Sequence, residues 1–283
     1  MKLGLGTVQL GLEYGISNKT GKPEAAEAVA ILHAAADGGI DCFDTAAAYG
    51  DSEALIGGFI KESGIRPKVC TKFSGLASAE RELQESLEHL CVDKLDYFML
   101  HKPEQVFLPE FSEVLECLKR NPAVGKVGVS VYSAAEVTEC LKYQEPPTCL
   151  ALQIPFNIID SRLITTGLLE RAKSCGVEIH ARSIYLQGLL ISDAPTKPPG
   201  AEKHLKMLDS LAKELGISVK ELCFLYVRDC PYIERFFIGC ETVEQVKENL
   251  ALYNLPKLPK GLIDKIPQIL AGVPEKILNP SLW

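Results

Sequence analysis

The chain has 283 residues, 47% apolar and 24% charged, which excludes disordered, collagen-like and low-complexity classes. Its 37 acidic residues outnumber 30 basic ones, giving a net charge of −7 with no basic run, a poor match to nucleic acid or an anionic membrane. No apolar run approaches the ~18 residues of a membrane span, and the start, Met1 to Gly6, lacks the apolar core of a signal peptide, so a cytoplasmic location is expected.

One unit repeats along the chain: a short apolar run, a few turn residues, then an amphipathic helix. The apolar runs predict strands at Leu3–Thr7, Asp41–Thr45, Lys68–Lys72, Leu95–His101, Lys126–Val131, Ala151–Phe156, Glu178–Ile184 and Arg235–Cys240. They are often apolar at consecutive positions, as in strands buried on both faces. Pro23 opens the first helix and Gly38-Gly39 closes it. Asp51-Ser52 starts the second and Gly64 stops it, and Asn121-Pro122 ends the fourth. Ser133-x-x-Glu136, Ser218-x-x-Glu221 and Thr242-x-x-Gln245 match capping boxes. Residues Ala201–Leu215 read as an extra helix before the last strand, and Pro195 to Gly200 as a loop.

Alternating strands and helices allow a closed (β/α)8 TIM barrel or a doubly wound open sheet. The count of eight and the length favour the barrel, with the extra helix and a C-terminal helix or tail. No linker or composition shift divides the chain, so one barrel domain over 1–283 is expected. The ten cysteines form no CxxC pair and mostly sit in apolar stretches, which predicts buried thiols of a reducing compartment rather than a zinc site.

A barrel carries its chemistry at the C-terminal ends of its strands. Strand two ends Phe43-Asp44-Thr45, strand three runs through Lys72, strand four ends at His101, and Tyr49 follows Asp44 by five residues. Each has an ordinary reading alone: Asp44 a helix cap, Tyr49 a turn residue, Lys72 a solvated edge lysine, His101 a satisfied structural histidine. Their convergence on one rim argues for chemistry. A phenol with pKa ≈ 10 is a poor acid at neutral pH, and a nearby ammonium lowers that pKa. A carboxylate keeps the ammonium charged, and a histidine can orient a carbonyl. The set protonates a carbonyl oxygen, and reduction then requires a hydride from a cofactor. Two rivals stay open: a Schiff-base aldolase or isomerase with Lys72 as nucleophile, and a nicotinamide-cofactor-sensing protein without useful turnover.

The run Asp44-Thr45-Ala46-Ala47-Ala48-Tyr49-Gly50 with Ser52-Glu53-x-x-Ile56-Gly57 resembles the signature of the aldo-keto reductase family. Thr71-Lys72, Leu100-His101, Gly6-Thr7, Gly128-Val129-Ser130 and Gln153-x-x-x-Asn157 are similar to further family segments. So are Ser183-x-x-Leu186-x-Gly188-Leu189 and Ile238-Gly239 through Gln245-x-x-x-Asn249. The resemblance implies an oxidoreductase that interconverts a small carbonyl compound or sugar and an alcohol using NADPH or NADH. It implies Tyr49 as general acid, Lys72 and Asp44 as its tuning pair and His101 as carbonyl orienter. Ser130 and Gln153 would hold the nicotinamide carboxamide, and Ser183, Leu186 and Gly188 the pyrophosphate. Gly239, Thr242, Gln245 and Asn249 would surround the adenosine end, with Thr7 and Ile238 also on the cofactor. No metal is implied, and a monomer or small homo-oligomer is expected.

Two positions depart from the family pattern. Val131 stands where an Asn commonly follows the fifth-strand Ser. Glu241 stands where a cation commonly meets the 2′-phosphate of NADPH, with Lys247 a turn further on. The terminal Trp283 would cover the site or fray, and the short loops favour an open pocket.

Overall fold

The structure, a computed structural model, describes residues 2–16, 18, 21–143, 150–192 and 197–283. Eight parallel strands close into a barrel in sequence order: β1 (Leu3–Gly6), β2 (Cys42–Asp44), β3 (Lys68–Phe73), β4 (Leu95–Leu100), β5 (Val124–Ser130), β6 (Ala151–Pro155), β7 (Glu178–Arg182) and β8 (Arg235–Gly239). Helices follow the strands and cover the outside, giving the (β/α)8 barrel. The observed strands stop one or two residues short of most expected ends. The next residues still donate to the neighbouring strand, as from Thr45 N–H to Cys70 O (2.8 Å) and from His101 N–H to Phe73 O (2.8 Å). Ser183 turns to φ +60 and ends β7, so Ile184 lies outside it.

Side chains alternate along each strand, so every second residue faces the barrel axis. Cys42, Cys70, Tyr97, Met99, Ala151 and Phe237 form the small apolar cluster there, and a larger core lies between barrel and helices. Gly4 and Gly128 leave room for it: a Cβ at Gly4 would sit 2.5 Å from the Phe237 ring, and one at Gly128 2.9 Å from the Met99 side chain. Counting on by two, the last inward position of each strand, or the residue just past it, is Gly6, Asp44, Lys72, His101, Ser130, Pro155, Arg182 and Gly239, with Gln153 one inward step below Pro155. These residues build the upper layer, where the chemistry lies.

Helix Ala25–Asp37 stops at Gly38, and helix Ser52–Ser63 stops at Gly64 in the left-handed conformation, φ +71. Ser133–Glu136 and Ser218–Glu221 form full capping boxes. The third expected box is shifted. Thr242 accepts from Gln245 N–H (3.2 Å), but Gln245 Oε1 accepts from Glu241 N–H (2.7 Å). The extra helix Ala201–Leu215 lies between β7 and β8, ahead of helix Val219–Asp229. In the proline-rich loop, Pro195 and Thr196 lie outside the described residues, as does Cys149. Cys42, Cys70, Cys140, Cys223, Cys230 and Cys240 are buried, whereas Cys91 and Cys117 are exposed. Trp283 donates from its indole to Lys276 O (3.1 Å) and is absent from the cavity wall, so it packs on its own tail.

Candidate active site

The segment after β2 is held by a buried hydroxyl knot. Thr7 Oγ1 donates to Asp44 O (2.8 Å) and lies 2.6 Å from Ser52 Oγ, and Thr45 Oγ1 donates to Ser52 Oγ (2.9 Å). Gly11 lets the chain before it approach this loop, because a Cβ there would sit 1.7 Å from Tyr49 O. Gly50 takes φ +55, a left-handed turn that costs glycine little. The signature residues around Tyr49 therefore fix where its ring points.

Lys72 rises from β3 into the barrel with a fully buried side chain. Its Nζ donates to both oxygens of Asp44 at 2.8 Å and to Thr45 O at 2.8 Å. The Tyr49 hydroxyl lies 3.5 Å from the same Nζ. The His101 ring packs edge-on to Tyr49, with centroids 5.8 Å apart. Burial works against the Lys72 charge, but Asp44, with Tyr49 and Cys70 acting in the same direction, outweighs it, so the ammonium holds its proton above its ordinary range. That geometry removes the Schiff-base reading, since a nucleophilic lysine needs a lowered pKa and access to substrate.

Tyr49 corrects one expectation. Burial of its hydroxyl pushes the phenol above its ordinary value, and the opposing Lys72 ammonium does not reverse the shift. The consequence is a phenol that stays protonated, with a cation placed to stabilise the phenolate once the proton leaves. Burial, with Lys72 and Arg182 nearby, lowers His101 to about 4, so its imidazole is neutral near pH 7. A neutral imidazole keeps one N–H donor for a carbonyl oxygen.

A cavity of about 420 Å³ runs from Tyr49, His101 and Asp44 to the residues that follow β8. Of the expected cofactor residues, Thr7, Ser183, Gly188, Ile238, Gly239, Gln245 and Asn249 line it. Ser130 and Gln153 lie buried behind the wall. Arg182 Nε donates to Ser130 Oγ (3.3 Å), and Gln153 Nε2 donates to Asp44 Oδ1 (2.6 Å). Leu186 is packed in the core and Thr242 caps its helix; neither lines the cavity. The loop directly after β7 is strained: Ser183, Leu186 and Gln187 all have positive φ.

Two buried acceptors fit a nicotinamide dinucleotide. Gln153 Oε1 and Asn249 Oδ1 have no hydrogen-bond partner among the described residues, a cost of about 1–3 kcal/mol each that a bound N–H donor would remove. A carboxamide suits the first and an adenine amino group the second. The structure also adds residues to the wall that sequence reasoning missed, chiefly Arg182, Tyr14, Gln187 and Lys220. Lys220, rather than Lys247, is the lysine at the Glu241 end, and it pairs with Glu248 at 2.5 Å. Nothing in the spacing around Ser218 marks it.

The pattern of the Aldo/keto reductase family matches residues 2–271, and the chain belongs to that family. It is an oxidoreductase of the nicotinamide-dependent, carbonyl-reducing class. Glyoxal reductase of Bacillus subtilis is 31% identical over 187 residues, covering 64% of this chain and 66% of that protein. L-galactose dehydrogenase of Arabidopsis thaliana is 29% identical over 88% of this chain and 83% of its own length. NADH-specific methylglyoxal reductase of Escherichia coli is 24% identical over 77% and 79% of the two chains. Among solved structures, a holo-form aldo-keto reductase of Bacillus halodurans superposes with a TM-score of 0.80 at 21% identity, covering 98% and 95%. No described helix is long and apolar enough to cross a membrane.

Proposed function

We propose that this chain interconverts the carbonyl of a small aldehyde, ketone or sugar and the corresponding alcohol, with Tyr49 as general acid. The observation that carries the reading is the fully buried Lys72 ammonium, bound to both Asp44 oxygens at 2.8 Å and 3.5 Å from the Tyr49 hydroxyl. Bound NADPH or NADH supplies the hydride and its two electrons. Tyr49 donates its proton to the carbonyl oxygen, Lys72 stabilises the phenolate left behind, and Asp44 keeps Lys72 charged. Neutral His101 donates to the same oxygen and orients it.

Ser130 and Gln153 would meet the carboxamide, Ser183 and Gly188 the pyrophosphate, and Ile238, Gly239, Gln245 and Asn249 the adenosine end. Thr7 would line that cleft, and Leu186 and Thr242 would shape it without direct contact. Glu241 lines the cavity at the adenosine end, and burial raises its carboxyl above the ordinary range. No ion pair to it occurs among the described residues, so a 2′-phosphate there would meet an uncompensated carboxylate. NADH use, or dual use, follows.

Tyr49→Phe tests the reading. It keeps the ring and removes the proton donor, so kcat on a responsive carbonyl falls about 10²–10⁴-fold, with cofactor Kd within about threefold. Activity within threefold of the parent would take the acid role away from Tyr49. Cofactor binding without turnover on a broad aldehyde panel would favour a sensing protein.

A further inference from the structure

We propose that the Lys220–Glu248 ion pair sets the cofactor preference of this chain: Glu248 holds the cation at the adenosine end and thereby disfavours the 2′-phosphate of NADPH. The inference rests on the carbonyl-reductase reading above and names two residues that choose its hydride source. Lys220 stands on helix Val219–Asp229, just past the Ser218 cap. Glu248 stands on helix Val243–Tyr253, where the spacing puts it on one face with Gln245 and Asn249. All four line the cavity, as does Glu241. Lys220 Nζ meets Glu248 Oε2 at 2.5 Å.

The charges at this end gather around Cys240, the residue after β8. Burial pushes its thiol up to about 12. Glu241 and Glu248 add to that push, whereas Lys220 opposes it, as does the Asn249 amide, which donates to Cys240 Sγ at 3.3 Å. Two carboxylates and one ammonium therefore share this corner of the cavity. Among the described residues, no other lysine or arginine lines it. Arg182, the other such cation of the wall, donates to Ser130 and Ser183 at the end of β7.

A 2′-phosphate brings a charge of roughly −2 into a corner where the acids already outnumber the cation. If Lys220 turned to the phosphate, Glu248 would lose its partner and face the same anion, so the sum of charges would not improve. A ribose 2′-hydroxyl is neutral and can donate to a carboxylate, so NADH meets no such repulsion. Solvent reaches both members of the pair, with side chains 27% and 52% exposed. An ion pair of this kind adds little to fold stability, so either charge can be removed without unfolding the chain. Its effect on a bound dianion is larger, because the cavity wall carries both groups into the interaction.

The test is equilibrium binding to the full chain, which needs no turnover. NADPH and NADH are titrated by nicotinamide fluorescence. Adenosine 2′,5′-bisphosphate and AMP, titrated by calorimetry, isolate the 2′-phosphate from the nicotinamide end. The parent should bind NADH at least as tightly as NADPH. Glu248→Gln keeps the shape and removes the charge, so NADPH and the bisphosphate should tighten about tenfold, with NADH and AMP within about threefold of the parent. Adding Lys220→Met to Glu248→Gln should abolish the gain, and adding Lys220→Arg should keep it. The gain should also shrink as salt is raised, because the charges are solvent-accessible.

An NADPH/NADH affinity ratio in Glu248→Gln within about twofold of the parent overturns the proposal. A gain that survives Lys220→Met overturns it too, since the cation would then lie elsewhere. Lys220→Met alone should leave NADH binding in place. If it weakens NADPH more than about tenfold, Lys220 already serves the phosphate in the parent, and Glu248 does not withhold it. The two readings fail separately. A chain that binds neither cofactor sinks the carbonyl-reductase reading along with this one. A chain that binds both, and reduces carbonyls, but ignores the Glu248 charge sinks only the present inference.

Discussion

Lys72→Met separates the structural and chemical duties of the buried ion pair. The lysine side chain has no exposed surface, and its Nζ makes three hydrogen bonds at 2.8 Å, two to Asp44 and one to Thr45 O. Methionine fills similar space and leaves the Asp44 carboxylate, 5% exposed, without its cation. Breaking a buried pair in this way costs about 3–5 kcal/mol. Gln153 Nε2 still donates to Asp44 Oδ1 at 2.6 Å, which places the loss near the lower end. At about 2–4 °C per kcal/mol for a domain of this order, Tm should fall by roughly 6–12 °C. Lys72 is also the strongest influence opposing the upward shift of Tyr49. Without it the phenol should hold its proton more tightly and the phenolate should lose its stabilising charge. We expect kcat to drop about 10²–10⁴-fold and the alkaline limb of the rate profile to move to higher pH. The assays are a thermal melt and a pH series of carbonyl reduction. The double variant Asp44→Asn with Lys72→Met removes the stranded charge, so it should recover much of the Tm and none of the activity. A melt within about 2 °C of the parent, together with an unmoved pH profile, would refute both halves of the reasoning.

The remaining predictions concern pH and cofactor choice. His101 releases its proton near pH 4 in the fold against an ordinary 6.5, so its contribution to stability is complete above 6.5 and disappears as pH falls toward 4. Denaturation midpoints at about pH 7.5 and pH 5 should therefore fall further for the parent than for His101→Gln; an equal drop means that buried His180, shifted in the same direction, carries the effect. Glu241→Arg should move the NADPH/NADH affinity ratio toward NADPH by about tenfold or more, tenfold being 1.4 kcal/mol. Parental binding of NADPH a hundredfold tighter than NADH would mean that Lys220 leaves Glu248 and reaches the phosphate.

How far the site was legible in the sequence depends on which rule was applied at each strand. Three neighbouring strands end in Asp44, Lys72 and His101, so the strand-end rule found them, and the structure joins the first two at 2.8 Å. The same rule misses Arg182 when β7 is drawn through to Ile184, because Arg182 then sits inside a strand. Period-two counting from His180 recovers it as the last inward residue, opposite in register to Pro155 of β6. Thr7 was named only through the family resemblance, as a cofactor residue, and its hydroxyl turns to Asp44 O and Ser52. Only the fold reveals that partner, 45 residues along the chain. Lys220 reaches the cavity from a helix ahead of β8, and no local pattern encodes such a contact. The direction of the Tyr49 shift was also beyond sequence reading. A nearby ammonium is visible in the motif, whereas the desolvation that outweighs it is a property of the packed barrel. Motifs thus report which groups meet, and packing decides which protonation state each of them holds.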